Sequence, residues 1–210
     1  MTRIVLVRHG ESQVFVDRLV GGLLTCNGLS DLGRRQAVAL RDRLAATHEL
    51  DPVDALLAST MPRARETAEI VAPAIGGLAV VEDHDLCERH PGEADGMLWD
   101  EALAKYGDPD QLDNLHSPMS PGGESWAEFH DRVGGAMRRI ASEHEGRTVV
   151  VACHGGVVDV ALRTLLEVTV EARFELYTHN TSLTEIMHLP ERDRWRLVRY
   201  NDAAHLAGVS

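Results

Sequence analysis

The sequence predicts an α/β fold: a three-layer α/β/α sandwich around a mostly parallel, mixed sheet. Apolar, β-branched runs recur at Ile4–Val7, Ala55–Ala58, Leu78–Val81, Thr148–Cys153, Leu183–Leu189 and Trp195–Tyr200. Helical patterns lie between most of them, and alternating strands and helices build layers with a largely parallel sheet. The last two runs are close together, joined by Pro190-Glu191-Arg192-Asp193. They read as an antiparallel hairpin, which makes the sheet mixed.

Taken in order, the first strand begins near Thr2 and leads into Arg8-His9-Gly10-Glu11. A helix over Asp31–Ala46 places Leu32, Ala39, Leu40 and Leu44 near one face, with Ser30 as its N-cap. Its arginines Arg34, Arg35, Arg41 and Arg43 fall largely on other faces and read as solvated. Pro62–Ala72 starts with a proline just inside a helix, where the missing N–H costs nothing. Glu124–Glu145 and Val157–Val168 are further amphipathic helices. From about Trp99 to Gly123 the chain is poor in apolar residues and carries Pro109, Pro118 and Pro121. This stretch is expected to be a surface excursion on a single domain spanning residues 1–210.

Lys and Arg number 21 against 33 Asp and Glu, a net charge of −12. Such a chain repels nucleic acid and anionic membrane surfaces, and an anionic substrate requires arginines concentrated locally. The N-terminus carries no signal-peptide pattern and no run is long enough to span a bilayer. Cys26, Cys87 and Cys153 are odd in number and far apart. They read as reduced cysteines of a cytoplasmic protein, without disulfides or a zinc site. His48, His116, His144 and His205 lack metal-ligand spacing, and no metal or cofactor is expected.

Four segments carry chemistry. Arg8-His9-Gly10 and His154-Gly155-Gly156 both follow a strand, the end of an open α/β sheet where ligands bind. Ser59 to Ala68 runs from a strand into a helix with Arg63 in its first turn, an N-terminus that favours an anion. Glu88, in Leu86-Cys87-Glu88-Arg89-His90, follows the third strand. Together these make a phosphoryl-transfer site. Arg8, Arg63 and a protonated or donating His154 neutralise the phosphate. His9 attacks phosphorus once its other ring nitrogen donates to a backbone carbonyl. Glu88 protonates the leaving oxygen and then takes a proton from the attacking water. Arginines here do the work of a metal ion. Glu11, Glu93 and Asp95 are rivals for the acid, and Glu11 has a second reading as a holder of Arg63 or of a loop. Arg89 either reaches substrate or forms a surface salt bridge. Cys153 reads as core, and Asn180 as an organiser of the sheet end.

The ordered set Leu6-Val7-Arg8-His9-Gly10-Glu11-Ser12, Ser59 to Ala64, Glu88 and His154-Gly155-Gly156 resembles the histidine phosphatase superfamily, also called phosphoglycerate mutase-like. Leu29 to Ala37, Pro121 to Ser125 and Asn180 to Leu183 match in the same order, over nearly the whole chain. The resemblance implies the phosphoglycerate mutase-like fold, His9 as nucleophile, Arg8, Arg63 and His154 as the phosphate pocket with Gly155 beside it, and Glu88 as proton donor. The family's asparagine six residues after the nucleophile is Phe15 here, and Asn27 is a candidate substitute. Arg18 falls one residue early. Phe15, Val16 and Leu19 make the substrate loop more apolar than usual. Cofactor-dependent mutases have a tyrosine where Pro91 stands, and an insertion with paired arginines, whereas Trp99–Gly123 holds only Lys105. The expectation is therefore a metal-independent phosphomonoesterase acting on a small-molecule phosphate ester. The alternatives are a phosphoglycerate mutase-type phosphotransferase and a binding or regulatory protein without turnover. The Leu183–Tyr200 hairpin is a candidate edge for a homodimer.

Overall fold

The computed structural model describes residues 1–108, 115–169, 171–172 and 174–209. Pro109 of the expected excursion lies outside the described residues. Strands Arg3–Arg8 (β1), Ala55–Ser59 (β2), Val80–Asp83 (β3), Thr148–Cys153 (β4), Leu183–Leu189 (β5) and Arg194–Asp202 (β6) form one sheet in the order β3-β2-β4-β1-β5-β6. β1, β4, β2 and β3 run parallel, and β5 joins β1 and β6 antiparallel. The sheet is mixed, as expected. β3 starts later than the apolar run that announced it. It is an edge strand with Val81 and Glu82 exposed, so no buried face fixes its position in the sequence pattern.

Along β1 successive side chains alternate between two cores. Ile4 and Leu6 pack with Phe129, Val133 and Met137 of helix Trp126–Glu143 and with Val157 and Ala161 of helix Gly155–Leu165. Val5 and Val7 pack on the opposite face with Leu40 and Leu44 of helix Asp31–Thr47 and with Ala68 of helix Pro62–Val71. Covering both faces buries the central strands completely and makes them near-continuous apolar runs. In chain order the helices are α1 (Gln13–Val16), α2 (Asp31–Thr47), α3 (Pro62–Val71), α4 (Trp99–Tyr106), α5 (Trp126–Glu143) and α6 (Gly155–Leu165).

Ser30 caps α2 by accepting from Gly33 N–H at 3.0 Å. Ser125 and Glu128 form a reciprocal capping box at the start of α5. The excursion is not bare chain, because α4 places Trp99, Ala102, Leu103 and Tyr106 at helical spacing. Ala102 and Tyr106 pack over Val20 and Ala94. Arg43 also departs from the solvated face expected for it. It bridges Glu49 (2.7 Å) and Asp202 (2.6 Å), tying α2 to the end of β6.

Two glycines set how α2 meets the first loop. A Cβ on Gly10 would lie 2.5 Å from the Gly33 carbonyl oxygen, and a Cβ on Gly33 would lie 2.0 Å from that of Glu11. The backbones touch directly, and only glycine allows it.

Candidate active site

β1 and β4 are neighbours in parallel register, Arg8 opposite Cys153, so the residues that follow them emerge side by side. His9 N–H donates to the Cys153 carbonyl at 2.9 Å, and the His9 and His154 ring centroids are 5.1 Å apart. A cavity of about 940 Å³ opens over these strand ends, lined by Arg8, His9, Arg63, Glu88 and Gly155 among others. Residues distant in sequence thus converge at the sheet position where parallel α/β folds place ligands.

His9 is 8% exposed, and its Nδ1 lies 2.6 Å from the Gly10 carbonyl oxygen. A carbonyl only accepts, so Nδ1 carries the proton and Nε2 keeps its lone pair. Arg63 Nε donates to that Nε2 and to His154 Nδ1, each at 3.2 Å. Its one hydrogen is shared between both rings, while Nη1 is held by the Gly21 carbonyl at 3.0 Å. Burial, then the charges of Arg63 and Arg8, hold the His9 imidazole well below its ordinary value. The ring is neutral at pH 7.

His154 is fully buried, and burial, then Arg63, His9 and Arg8, push its imidazole down in the same way. Its Nδ1 accepts from Arg63, so the proton sits on Nε2, 2.8 Å from Ser59 Oγ. Ser59 Oγ also accepts from Met61 N–H and donates to Cys87 Sγ. His154, expected to be either protonated or a donor, is a neutral imidazole held between Ser59 and Arg63. The reason is the cost of burying a third cation beside two guanidiniums.

Arg8 donates to the Thr178 carbonyl, while its buried Nε has no hydrogen-bond partner among the described residues. Burial lowers the Arg8 pKa. A desolvated guanidinium with an unmet donor, beside the first turn of α6, is an anion-binding arrangement. α6 begins at Gly155, two residues earlier than its apolar pattern, and its N-terminus therefore meets the cavity. Glu88 Oε2 accepts from Gly156 N–H at 3.0 Å and Oε1 from Arg89 N–H at 3.2 Å. A Cβ on Gly156 would lie 2.4 Å from Glu88 Oε1, so the second glycine makes room for the carboxylate.

The rivals to Glu88 separate cleanly. Asp95 accepts from Gly22 N–H, Leu24 N–H and Thr25 Oγ1, and Glu93 from Tyr106. Neither lines the cavity. Glu11 does, and it accepts from Ser30 Oγ at 2.7 Å, which makes it a holder of the loop and not of Arg63. Phe15, 67% exposed, and Leu19 line the cavity. Arg89 lines it too, stacked 5.7 Å from the Trp126 ring. Asn27 is not brought to the site. It is exposed, and the chain beside it is drawn towards α3 by Leu29 N–H donating to Glu66 at 2.8 Å. Asn180 donates from Nδ2 to the His9 carbonyl at 2.9 Å and so fixes the strand end. Burial raises the Cys153 thiol, in keeping with a core residue.

Sequence reasoning missed Trp126, Asp159 and the Phe174–Thr178 segment, all in the cavity wall. Asp159 had a signal, lying four residues after Gly155 on one helix face. Phe174 to Thr178 carry no periodicity that marks them. Among the described residues no group of three or more His, Cys, Asp or Glu converges to hold a metal ion.

The model of the histidine phosphatase superfamily (branch 1) matches residues 4–203. The chain is 35% identical over 209 residues to phosphoglycerate mutase-like protein 4 of Arabidopsis thaliana, covering 97% of this chain and 86% of that protein. It is 33% identical over 214 residues to the metal-independent phosphoserine phosphatase of the same plant, covering 100% and 85%. Among solved structures, Bacillus stearothermophilus YhfR superposes with a TM-score of 0.83 at 29% identity, over 98% of this chain and 100% of that one. The match runs through every segment that meets at the ends of β1 and β4, and the chain belongs to the histidine phosphatase superfamily.

Proposed function

We propose that this phosphatase hydrolyses small-metabolite phosphate monoesters without a metal ion, through a phosphohistidine on His9. The observation that carries this reading is the pinned His9 ring, with Nδ1–H on the Gly10 carbonyl and Nε2 turned to Arg63. An incoming phosphate takes over the Arg63 Nε donor, which frees the Nε2 lone pair, and Arg8 Nε supplies a second donor. Nε2 attacks phosphorus, a P–N bond forms as the P–O ester bond breaks, and Glu88 gives its proton to the leaving alkoxide. Water then attacks the phosphohistidine, Glu88 recovers a proton from it, and the P–N bond breaks. His154 lies against Arg63 and keeps that guanidinium over the phosphate.

Phe15 and Leu19 at the cavity wall favour an ester with an apolar portion. One six-stranded sheet supports reading residues 1–210 as a single domain, and the outer edge of β6 is the surface offered to a second copy in a homodimer. No helix among the described residues is long and apolar enough to cross a membrane. Three free, buried cysteines favour a reducing, cytoplasmic compartment. The test is phosphate release in chelator from a panel of phosphomonoesters, including 3-phosphoglycerate with and without 2,3-bisphosphoglycerate. Release without added metal is expected. Cofactor-dependent 2-phosphoglycerate formation without release would make the protein a mutase, and silence on both would make it a binding protein.

A further inference from the structure

Glu88 has to deliver a proton, yet it stands on the loop that follows β3, an edge strand of the sheet. A general acid must come within hydrogen-bond reach of the leaving oxygen, so such a loop has to be held from outside. Gly156 N–H and Arg89 N–H hold the carboxylate itself. The backbone beneath it is held by Arg132, from α5.

Arg132 Nη1 donates to the carbonyls of Asp85 (2.8 Å) and Cys87 (3.1 Å), and Nη2 to that of Glu88 (3.4 Å). Nε and Nη2 donate to the two oxygens of Glu124, each at 2.7 Å. All five guanidinium N–H groups are thereby used. Three of them go to carbonyls within four residues of chain, so Asp85 to Glu88 wrap around one planar fork. The fork lies 5.3 Å from the ring of Phe129, which is fully buried in the core. Glu124 extends the grip past the acid. It accepts from His90 N–H at 3.2 Å, and its own N–H donates to the His90 carbonyl at 2.8 Å. The side chains of Arg132 and Glu124 are only 15% and 12% exposed. A surface ion pair explains none of the three carbonyl contacts. Arg139, two turns further along α5, shows the contrast. It is 40% exposed and meets the side-chain carboxylates of Asp83 and Asp85.

We propose that Arg132 is a positioning residue for the proton transfer from Glu88. By fixing the carbonyls of Asp85, Cys87 and Glu88 it aims the carboxyl at the leaving oxygen. This inference rests on the phosphomonoesterase reading. Lysine is no substitute, because an ammonium lacks the planar fork that meets three carbonyls and a carboxylate together.

Benzyl, phenyl and p-nitrophenyl phosphate test it, since they share a ring and differ chiefly in how much the leaving oxygen needs a proton. Arg132→Gln is expected to lower kcat/KM for benzyl phosphate by roughly 10²-fold, the scale of a small misplacement, and for p-nitrophenyl phosphate by less than about threefold. Arg132→Lys should show the same graded loss, and it carries the test if the glutamine variant does not fold. In Glu88→Gln the acid is already gone, so adding Arg132→Gln should slow benzyl phosphate little further. Arg139→Gln is expected to leave the ratios among the three esters unchanged. A uniform loss across the esters, full rescue by lysine, or a loss additive to that of Glu88→Gln would mark a merely structural arginine and overturn the proposal. Parent turnover of p-nitrophenyl phosphate alone would also overturn it, because no acid would then be at work. No release from any of the three by the parent would instead sink the phosphatase reading beneath it.

Discussion

His9→Ala is expected to lower phosphate release by at least about 10⁴-fold, since removing a covalent nucleophile leaves only binding and charge stabilisation to act. The fold should persist, because the Gly10 and Cys153 backbones that flank His9 keep their partners in β1, β4 and α3. A cooperative melt of the variant beside the activity measurement separates the two effects. A folded variant within about tenfold of the parent would contradict the assignment of His9 as nucleophile.

Arg63→Gln is expected to cost about 10²–10³ in kcat/KM, the scale of losing a preorganised charged donor at a site where negative charge develops. It should also change how His9 titrates. In the parent, burial and then the Arg63 and Arg8 charges hold the imidazole well below its ordinary 6.5. The ring is therefore unprotonated and nucleophilic at neutral pH, and it stays so as pH falls through 6.5. Removing the Arg63 charge leaves burial and Arg8 still acting but relieves the next-largest cause, so the His9 midpoint should rise. Protonation would then remove the nucleophile at a higher pH than in the parent. Following the His9 ring resonances by NMR from neutral to acid pH measures this directly. An unmoved midpoint would mean that Arg63 does not govern the ring.

The fold was legible because both faces of the sheet are covered. β1 and β4 are uninterrupted apolar runs, and the helices between strands keep their 3.6-residue stripes. Legibility failed where burial is partial. β3 lies on an edge, and α4 covers only a small cluster around Val20 and Ala94, so its apolar spacing is hidden among polar residues and prolines. The chemistry-bearing side chains at strand ends were readable for a related reason. Arg8 closes β1 and His9 and His154 directly follow β1 and β4, while Gly10, Gly33 and Gly156 sit where backbones or a carboxylate approach too closely for a Cβ.

The supporting shell was not readable. Arg63 is held by a backbone carbonyl of Gly21, and Arg8 by one of Thr178, and a carbonyl belongs to every residue alike. Asn27 has the side-chain chemistry of a phosphate ligand, yet a loop's direction is set by where its backbone is anchored, here on Glu66. The protonation of His154 likewise depends on its burial beside Arg63, which only the assembled site reveals.

The proposed mechanism requires a covalent bond between phosphorus and His9 Nε2. Mixing the enzyme briefly with a rapidly cleaved aryl phosphate, quenching in base to preserve a P–N bond, and locating the phosphoryl group by peptide mass spectrometry tests it most directly. The modification is expected on His9 in the parent and absent from His9→Ala. Hydrolysis with His9 unmodified at every quench time, or the phosphoryl group on His154 instead, would contradict it.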